Sequence, residues 1–187
     1  MEIISYNTNK SLTNTLKIIE NIYENDKLVI NLQEPNNGLI ATLNPLNFNI
    51  TLSKYVTTLT KVHNQVKVII KNEHVVMCNI KINGQLYCTT NVYIHPDMKN
   101  EELKSLIKEI SLRLNSMQHL PTIITGDLNC ENEMWSYKTN KTKLRANYIV
   151  DLCNEYGLRS AFTPDPNNWT YTWGTRSQSW IDAILFN

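Results

Sequence analysis

The 187-residue sequence lacks the features that mark several special classes of protein. It has no apolar run approaching the roughly 18 residues that a membrane-spanning helix needs. Its first residues include an acidic side chain and no long apolar segment, so we expect no secretory signal peptide. It also lacks internal repeats, low-complexity tracts and linkers rich in proline or glycine. We therefore expect residues 1–187 to form a single domain without membrane contact.

The sequence has no excess of either charge. Its 18 basic and 17 acidic side chains give a net charge of +1. This balance does not favour a protein that wraps nucleic acid with a strongly basic surface, although it leaves room for a local basic cleft.

No two of the four cysteines are spaced as C-x-x-C, which disfavours a zinc site built on thiolates. Cys78 and Cys88 flank Asn83-Gly84 and could face each other across a hairpin, but the fold does not need a disulfide there. We expect four free thiols in an intracellular protein, which would be nuclear if it comes from a eukaryotic element.

Strand-like and helix-like segments alternate along the chain. The clearest local signal is Asn83-Gly84 between two β-rich runs, which predicts a type I′ hairpin. Apolar residues spaced by three and four predict helices after Ser11, after Asn100 and over residues 144–156. The remaining predicted strands cover residues 2–6, 28–32, 66–70, 121–125, 170–173 and 180–186. This mixed order predicts packed sheets with helices outside, an α/β sandwich.

Acidic and amide side chains recur where predicted strands end. Asn7 closes the first strand, Glu34 follows the second, and Asp127 and Asn129 follow the strand over residues 121–125, while Asp182 lies in the last strand. Each one alone is usually a turn or cap residue, but the series favours a shared site. Carboxylate and amide oxygens suit Mg²⁺, which also keeps water and phosphate ligands and polarises phosphoryl oxygens.

These residue types suit phosphoryl chemistry. Asp127 could orient and deprotonate a water molecule, whereas Asn7 and Asn129 could only hydrogen-bond a phosphate or orient a carboxylate. The phenol of Tyr93 could donate a hydrogen bond to a phosphate oxygen.

Five short blocks occur in a fixed order with regular spacing. They are Tyr6-Asn7-Thr8-Asn9, Leu32-Gln33-Glu34-Pro35, Asn91-Val92-Tyr93, Gly126-Asp127-Leu128-Asn129 and Ser179-Trp180-Ile181-Asp182. The ordered set resembles the endonuclease/exonuclease/phosphatase superfamily. Within it, Gln33-Glu34-Pro35 and the stretch from Asn91 to Pro96 are most similar to the apurinic/apyrimidinic-type endonuclease domain of LINE-type (non-LTR) retrotransposons.

The resemblance implies a four-layered α/β sandwich of two mixed sheets flanked by helices, of the DNase I type. It implies a DNA endonuclease that uses Mg²⁺, or alternatively Mn²⁺, and a reverse transcriptase domain in the same polypeptide. Residue by residue, it implies that Glu34 binds the metal with help from Asn9 and that Asp127 activates water. Asn129 would orient the phosphate or Asp127, and Asn7 would also contact the phosphate. Tyr93 would stabilise developing charge, and Asp182 would support a catalytic histidine.

The sequence departs from the family pattern at that histidine. The family carries a Ser-Asp-His-type block on a further strand after the Ile-Asp block, whereas the given chain ends five residues after Asp182. The expected fold therefore lacks its last strand, and three explanations stay open. The first is that the chain is a fragment, and the second is that it is a degenerate copy that binds without cutting. The third is that another histidine takes the place of the missing one. His95 is the candidate, because a continued strand would place it on the same face as Tyr93.

DNA contacts are predicted from basic residues near the site. Lys138, Lys141, Lys143 and Arg145 could grip phosphates, or they could form a solvated loop leading into a helix. Arg176 lies in an aromatic tail that could probe a DNA groove or pack in the core. Two other functions stay open: a phosphatase or RNA phosphodiesterase of the same superfamily, and an inactive nuclease fold kept as a binding or structural module.

Overall fold

A computed structural model of the protein describes residues 1–43, 47–137, 143–163, 165, 171–173, 177–179 and 181–187, and of residues 21–24, 143, 171–173 and 177–179 it describes the backbone only. The helices are α1 (Leu12–Glu24), α2 (Asn37–Ile40), α3 (Asn100–Asn115) and α4 (Lys143–Tyr156). The strands are β1 (Glu2–Asn7), β2 (Leu28–Gln33), β3 (Phe48–Leu52), β4 (Val56–Lys61), β5 (Gln65–Lys71), β6 (Val75–Ile82), β7 (Gln85–Tyr93), β8 (Thr122–Asp127), β9 (Arg159–Ser160), β10 (Tyr171–Trp173), β11 (Ser177–Ser179) and β12 (Asp182–Phe186).

Two mixed sheets make up most of the structure. The four-stranded sheet has the order β1-β2-β4-β3, and the six-stranded sheet has the order β5-β6-β7-β8-β12-β9. Each sheet contains one parallel pair, β1 with β2 and β7 with β8, and its other pairs are antiparallel. Strands β10 and β11 form a separate two-stranded ribbon.

Three apolar clusters define four layers. The first lies between α1 with α2 and the four-stranded sheet and includes Ile19, Leu32 and Ile40. The second lies between the two sheets and includes Val29 and Val76. The third lies between the six-stranded sheet and helices α3 and α4. This arrangement confirms the predicted α/β sandwich of two mixed sheets flanked by helices.

Strand β2 illustrates how the sequence produces these layers. All six of its residues are buried, since both of its faces are covered. Leu28, Ile30 and Leu32 face the helical layer, whereas Val29 faces the second sheet. The alternation follows from the two-residue period of a strand.

Local signals gave several elements correctly. Ser11 caps α1, because its Oγ accepts a 3.2 Å hydrogen bond from the backbone N–H of Asn14. The predicted type I′ hairpin joins β6 and β7, with positive φ angles of 51° at Asn83 and 84° at Gly84. Asn100 is the first residue of α3, whose N-cap is Lys99, so the helix begins one position earlier than a capping Asn100 would place it.

Other elements differ from the sequence-based prediction. The segment after β2, predicted as a break, contains the single-turn helix α2, which Asn36 caps by accepting from the N–H of Leu39 at 3.0 Å. Strands β3, β4, β9 and β11 were not predicted. The last strand begins at Asp182, and Trp180 lies outside the described residues.

The four cysteines are free, as predicted, and all four are buried. Cys78 and Cys88 lie on neighbouring strands but are offset in register, since Cys78 pairs with Thr89 and Cys88 with Asn79. Across the described part of the chain, no helix combines the length and apolar character required to cross a membrane.

Candidate active site

The strand ends of both sheets converge at one edge of the sandwich. The parallel strands β1 and β2 end together at Asn7 and Gln33, and the parallel strands β7 and β8 end together at Tyr93 and Asp127. The polar residues that close these strands therefore meet between the two sheets. The carboxyl ends of parallel strands are where α/β proteins commonly place their sites.

The side chain of Asn7 connects two carboxylates across the sheets. Its Nδ2 donates a 2.8 Å hydrogen bond to Oδ2 of Asp127 and a 3.3 Å hydrogen bond to Oε2 of Glu34. The structure thus brings together three residues that the sequence predicted as one site, from β1, β8 and the end of β2.

Asp127 is buried, with only 4% of its surface exposed. Its Oδ1 accepts a 3.0 Å hydrogen bond from the backbone N–H of Asn129. Burial raises the pKa of Asp127 to about 6; the charge of Glu34 adds to this effect, and the hydrogen bonds from Asn7 and Asn129 oppose it. Asp127 is therefore a carboxylate whose proton affinity is matched to near-neutral pH.

Backbone hydrogen bonds hold Glu34 in an uncommon conformation. Its φ angle is 45°, in the left-handed region that glutamate rarely adopts. Its N–H donates to the carbonyl of Tyr55 at 2.7 Å, and its own carbonyl accepts from Thr8 Oγ1 and from the N–H of Lys10, both at 2.7 Å. The turn directs the half-buried carboxylate toward Asn7.

Tyr93 completes the site from the end of β7. Its side chain is buried, and burial raises the pKa of its phenol, with further contributions from the negative charges of Glu34 and Asp127. The phenol therefore stays protonated near neutral pH and can act as a hydrogen-bond donor.

Gly126 permits β8 to approach β7 closely beside the site. Its φ angle is 155°, and a Cβ built on it would lie 1.9 Å from the backbone oxygen of Val92. No side chain fits in that space. The glycine before Asp127 is thus required by backbone contact, which places Asp127 directly beside Tyr93.

Two residues that sequence reasoning did not assign to the site lie against Tyr93. The ring of Tyr55 is 5.5 Å from that of Tyr93 and stacks on the ring of His74 at 5.0 Å. Nδ1 of His74 lies 3.1 Å from the carbonyl oxygen of Tyr93, so that nitrogen carries a proton. The hairpin register contained the signal for His74, because the Asn83-Gly84 turn pairs Val75 with Val92 and so brings the next pair, His74 and Tyr93, together.

His95 belongs to the same aromatic cluster. Its ring centroid lies 6.1 Å from that of Tyr93 and 6.2 Å from that of Tyr55. A cavity of about 190 Å³ is lined by Tyr55, His74, His95, Asp97, Met98 and Glu102. The structure therefore places His95 beside the site, whereas His63 and His119 are exposed in turns.

Three predicted site residues have less direct connections. Asn9 contacts Asn7 through its backbone, since its N–H donates to Asn7 Oδ1 at 2.8 Å, while its side chain is exposed. Asn129 has a φ angle of 44° and orients Asp127 through its own N–H. Asp182 pairs with Asp127 in the β12–β8 register. The metal role of Asn9 and the support role of Asp182 stay predictions.

The basic residues proposed for DNA binding are only partly within the described structure. Arg145 on α4 donates to the carbonyls of Pro96 at 2.6 Å and of His95 at 2.8 Å, so it anchors the loop after β7. Lys143 begins α4 with only its backbone described, and Lys138, Lys141 and Arg176 lie outside the described residues. Their contact with DNA stays a prediction, and the loop-anchoring role of Arg145 was not foreseen.

The donor set of the site fits Mg²⁺. Glu34 and Asp127 supply two carboxylates that both contact one amide nitrogen of Asn7. Magnesium is commonly bound through one or two carboxylates, with waters and substrate phosphates as the other ligands. Glu34 would hold the ion, because its carboxylate is more exposed than that of Asp127.

The sequence of residues 87–187, more than half of the chain, matches a family described as endonuclease-reverse transcriptase. This segment contains Tyr93, Asp127, Asn129 and Asp182. No curated protein matches the chain by sequence.

Several solved structures share the fold across nearly the whole chain. The endonuclease domain of TRAS1, a telomere-specific non-LTR retrotransposon, is similar with a TM-score of 0.75 and 18% identity, over 98% of this chain and 83% of that one. An endonuclease/exonuclease/phosphatase family protein from Leptotrichia buccalis is similar with a TM-score of 0.65 and 15% identity, over 100% of this chain and 87% of that one. Humanized D. rerio TDP2 is similar with a TM-score of 0.63 and 13% identity, over 99% of this chain and 82% of that one. At these identities the likeness establishes the fold alone.

Proposed function

The chain belongs to the endonuclease-reverse transcriptase family of the endonuclease/exonuclease/phosphatase superfamily, and on that premise we propose that it is a Mg²⁺-dependent phosphodiesterase that nicks DNA. The observation that carries the proposal is the contact of Asn7 with both Asp127 and Glu34. It joins a candidate base and a candidate metal ligand from different sheets, with the protonated phenol of Tyr93 beside them.

Asp127 is the general base of this proposal. A carboxylate with a pKa of about 6 is ionised at neutral pH yet basic enough to accept a proton from an attacking water. The N–H of Asn129 and the amide of Asn7 each hold one of its oxygens, so the orientation of the carboxylate is fixed before substrate binds.

Glu34 would hold Mg²⁺, which when bound supplies Lewis-acid stabilisation of a phosphoryl oxygen. Tyr93 would donate a hydrogen bond to the phosphate as negative charge develops. Donors preorganised for such charge are typically worth on the order of 10² to 10³ in rate.

His95 is proposed as a further donor to the phosphate or leaving group. Its Nδ1 accepts a 3.1 Å hydrogen bond from the N–H of Asp97, so neutral His95 carries its proton on Nε2. A donor on the ring beside Tyr93 suits the role that the family gives to a histidine. We expect His95→Gln to slow nicking strongly and His119→Gln, at an exposed position, to leave it unchanged.

DNA as the substrate and a reverse transcriptase domain in the same polypeptide are supported by the family match. The TRAS1 domain, an endonuclease of a retrotransposon, supports the same view as a structural neighbour. We propose that the nick would supply the end from which such a reverse transcriptase starts.

The test is nicking of a supercoiled plasmid with Mg²⁺, beside EDTA and the Asp127→Asn variant. Asp151→Asn, an exposed aspartate on α4, controls for the loss of one negative charge. We expect metal-dependent nicking that Asp127→Asn abolishes and Asp151→Asn preserves. Phosphate release from small esters without nicking would instead indicate a phosphatase. DNA binding without turnover and unaffected by EDTA would indicate an inactive binding module.

A further inference from the structure

A seam of buried amides crosses the interface between the two sheets directly beneath the candidate site. Asn31 and Gln33 of β2 and Asn91 of β7 are each fully buried, in a layer whose other members include Val29, Val76 and Ile80. Burying an amide costs free energy unless it is hydrogen-bonded, so polar groups in such a layer need an explanation.

The hydrogen bonds of Asn91 fix the orientation of its amide. Nδ2 donates to the carbonyl of Leu32 at 3.1 Å and to that of Thr57 at 2.9 Å, and carbonyl oxygens can only accept. Oδ1 of Asn91 therefore faces Gln33, whose Nε2 donates to it at 2.6 Å. One side chain of the six-stranded sheet is thus bonded to two strands of the other sheet.

The hydrogen bond from Gln33 to Asn91 costs free energy elsewhere in the Gln33 side chain. Because its Nε2 must face Asn91, its Oε1 is buried without a hydrogen-bond partner in the described structure. A buried acceptor left without a partner costs roughly 1–3 kcal/mol. An apolar side chain at this position would avoid that cost, so stability alone does not account for the glutamine.

The seam lies close in sequence to the functional side chains. Gln33 immediately precedes Glu34, and Asn91 lies two residues before Tyr93 on the same face of β7. Nε2 of Gln33 also donates to Ser5 Oγ at 3.1 Å, and Ser5 lies two residues before Asn7. One amide thus connects the three strands that carry Asn7, Glu34 and Tyr93.

We propose that Gln33 and Asn91 are positioning residues, which hold the two sheets at the spacing that places Glu34 to bind one divalent cation beside Asp127 and Tyr93. The inference rests on the proposed function, because it concerns the metal affinity of the same site. Loss of the Gln33–Asn91 bond would leave the Glu34 carboxylate present but wrongly placed to bind the cation.

Asn31 provides a matched control within the same strand. It is equally buried and faces the same interface, where it donates to Thr89 Oγ1 at 3.2 Å and Thr125 Oγ1 at 2.9 Å and accepts from Thr58 Oγ1 at 2.8 Å. Its removal would cost stability much as removal of Asn91 does. It lies two residues farther from Glu34 along β2, and its partner Thr125 precedes Asp127, which is the proposed base and not the metal ligand.

The experiment compares Gln33→Met, Asn91→Leu and Asn31→Leu with the wild-type protein. Binding of Mn²⁺ is measured by electron paramagnetic resonance without substrate, and kcat and KM for nicking are measured separately. Thermal unfolding gives the stability of each variant, and Asn91→Ser replaces Asn91→Leu if the latter does not fold.

We expect Gln33→Met and Asn91→Leu to weaken Mn²⁺ binding by about 10- to 100-fold, the usual effect of removing residues that orient metal ligands. Asn31→Leu should lower the melting temperature comparably and leave Mn²⁺ affinity within about twofold. Equal Mn²⁺ affinities in all folded variants, or equal losses in all three, would overturn the positioning role while leaving the proposed function intact. A wild-type protein that neither binds Mn²⁺ nor nicks DNA would overturn both.

Discussion

Asn7 and Asp127 lie 120 positions apart in the chain and are joined by a 2.8 Å hydrogen bond from amide to carboxylate. The two residues belong to different sheets, so the bond exists only when the whole sandwich is assembled. It also links the chemistry of the site to its electrostatics, because the amide stabilises the ionised form of a buried acid.

The Asn7→Ala variant tests this link. Without the amide donor, the ionised form of Asp127 loses stabilisation, so its pKa should rise above the wild-type value of about 6. The acidic limb of the pH profile of kcat/KM should therefore move to higher pH. Asn154→Ala, which alters an exposed amide on α4, should leave the limb in place. A limb that moves to lower pH in Asn7→Ala would contradict the assignment.

The raised pKa of Asp127 should also appear in the pH dependence of stability without divalent cations. The folded protein holds this proton up to about pH 6, whereas the ordinary value is 3.8. The stabilisation from Asp127 is thus fully present below about pH 3.8 and is lost as the pH rises through about 6. Relative to Asp127→Asn, wild-type unfolding free energy should fall across this window by up to roughly 3 kcal/mol. Urea titrations at a series of pH values measure it, and a rise with pH would refute the prediction.

The backbone contact at Gly126 predicts a large penalty for a single methyl group. Gly126→Ala would place Cβ against the Val92 carbonyl in a left-handed conformation and should cost about 3 kcal/mol or more. Gly157→Ala shares the positive φ but has open space around it, so it should cost only about 1 kcal/mol. Chemical denaturation of both variants gives the comparison. Similar losses of unfolding free energy in the two variants would show that the positive φ angle, and not the contact with Val92, causes the penalty at Gly126.

Arg145 and Lys143 should behave differently in DNA binding. Arg145→Lys keeps the charge but cannot reproduce both bonds to the loop carbonyls, so it should lower stability by roughly 1–3 kcal/mol. Its effect on the salt dependence of DNA affinity should be small. Lys143→Ala should reduce the slope of log affinity against log salt by about 1 if that lysine contacts a phosphate. Binding titrations at several salt concentrations separate the two cases, and a changed slope in Arg145→Lys would assign that residue to DNA.

The sequence was sufficient to predict that the polar side chains at several strand ends lie close together. Asn7, Glu34 and Asp127 each close or follow a short apolar run, and the parallel pairing of the strands brings these ends to one edge. It was not sufficient for Tyr55, because its contact with Tyr93 depends on how the two sheets pack. The sequence also could not show whether Arg145 anchors a loop or binds DNA, since both roles suit an arginine at the start of a helix.

Strand β4 was missed for a physical reason. Both of its faces are covered, and Thr57, Thr58 and Thr60 are buried although they are polar. Strand prediction from alternating polar and apolar residues assumes that polar side chains face water. Here Thr58 donates to Asn31, and the carbonyl of Thr57 accepts from Asn91. The polar residues of β4 are thus buried because they hydrogen-bond to the amides between the sheets, and a pattern of polar and apolar residues does not reveal such a strand.

Two residues at the site have a left-handed backbone conformation, which lowers stability although their side chains are proposed to serve activity. Glu34 and Asn129 have φ angles of 45° and 44°, where a side chain costs roughly 1–2 kcal/mol and glycine costs almost nothing. Selection for stability alone would favour glycine at both positions. Such a protein would be more resistant to heat but would lose the proposed metal ligand at position 34. Any effort to make the protein thermostable should therefore leave these two residues unchanged and seek its gains elsewhere.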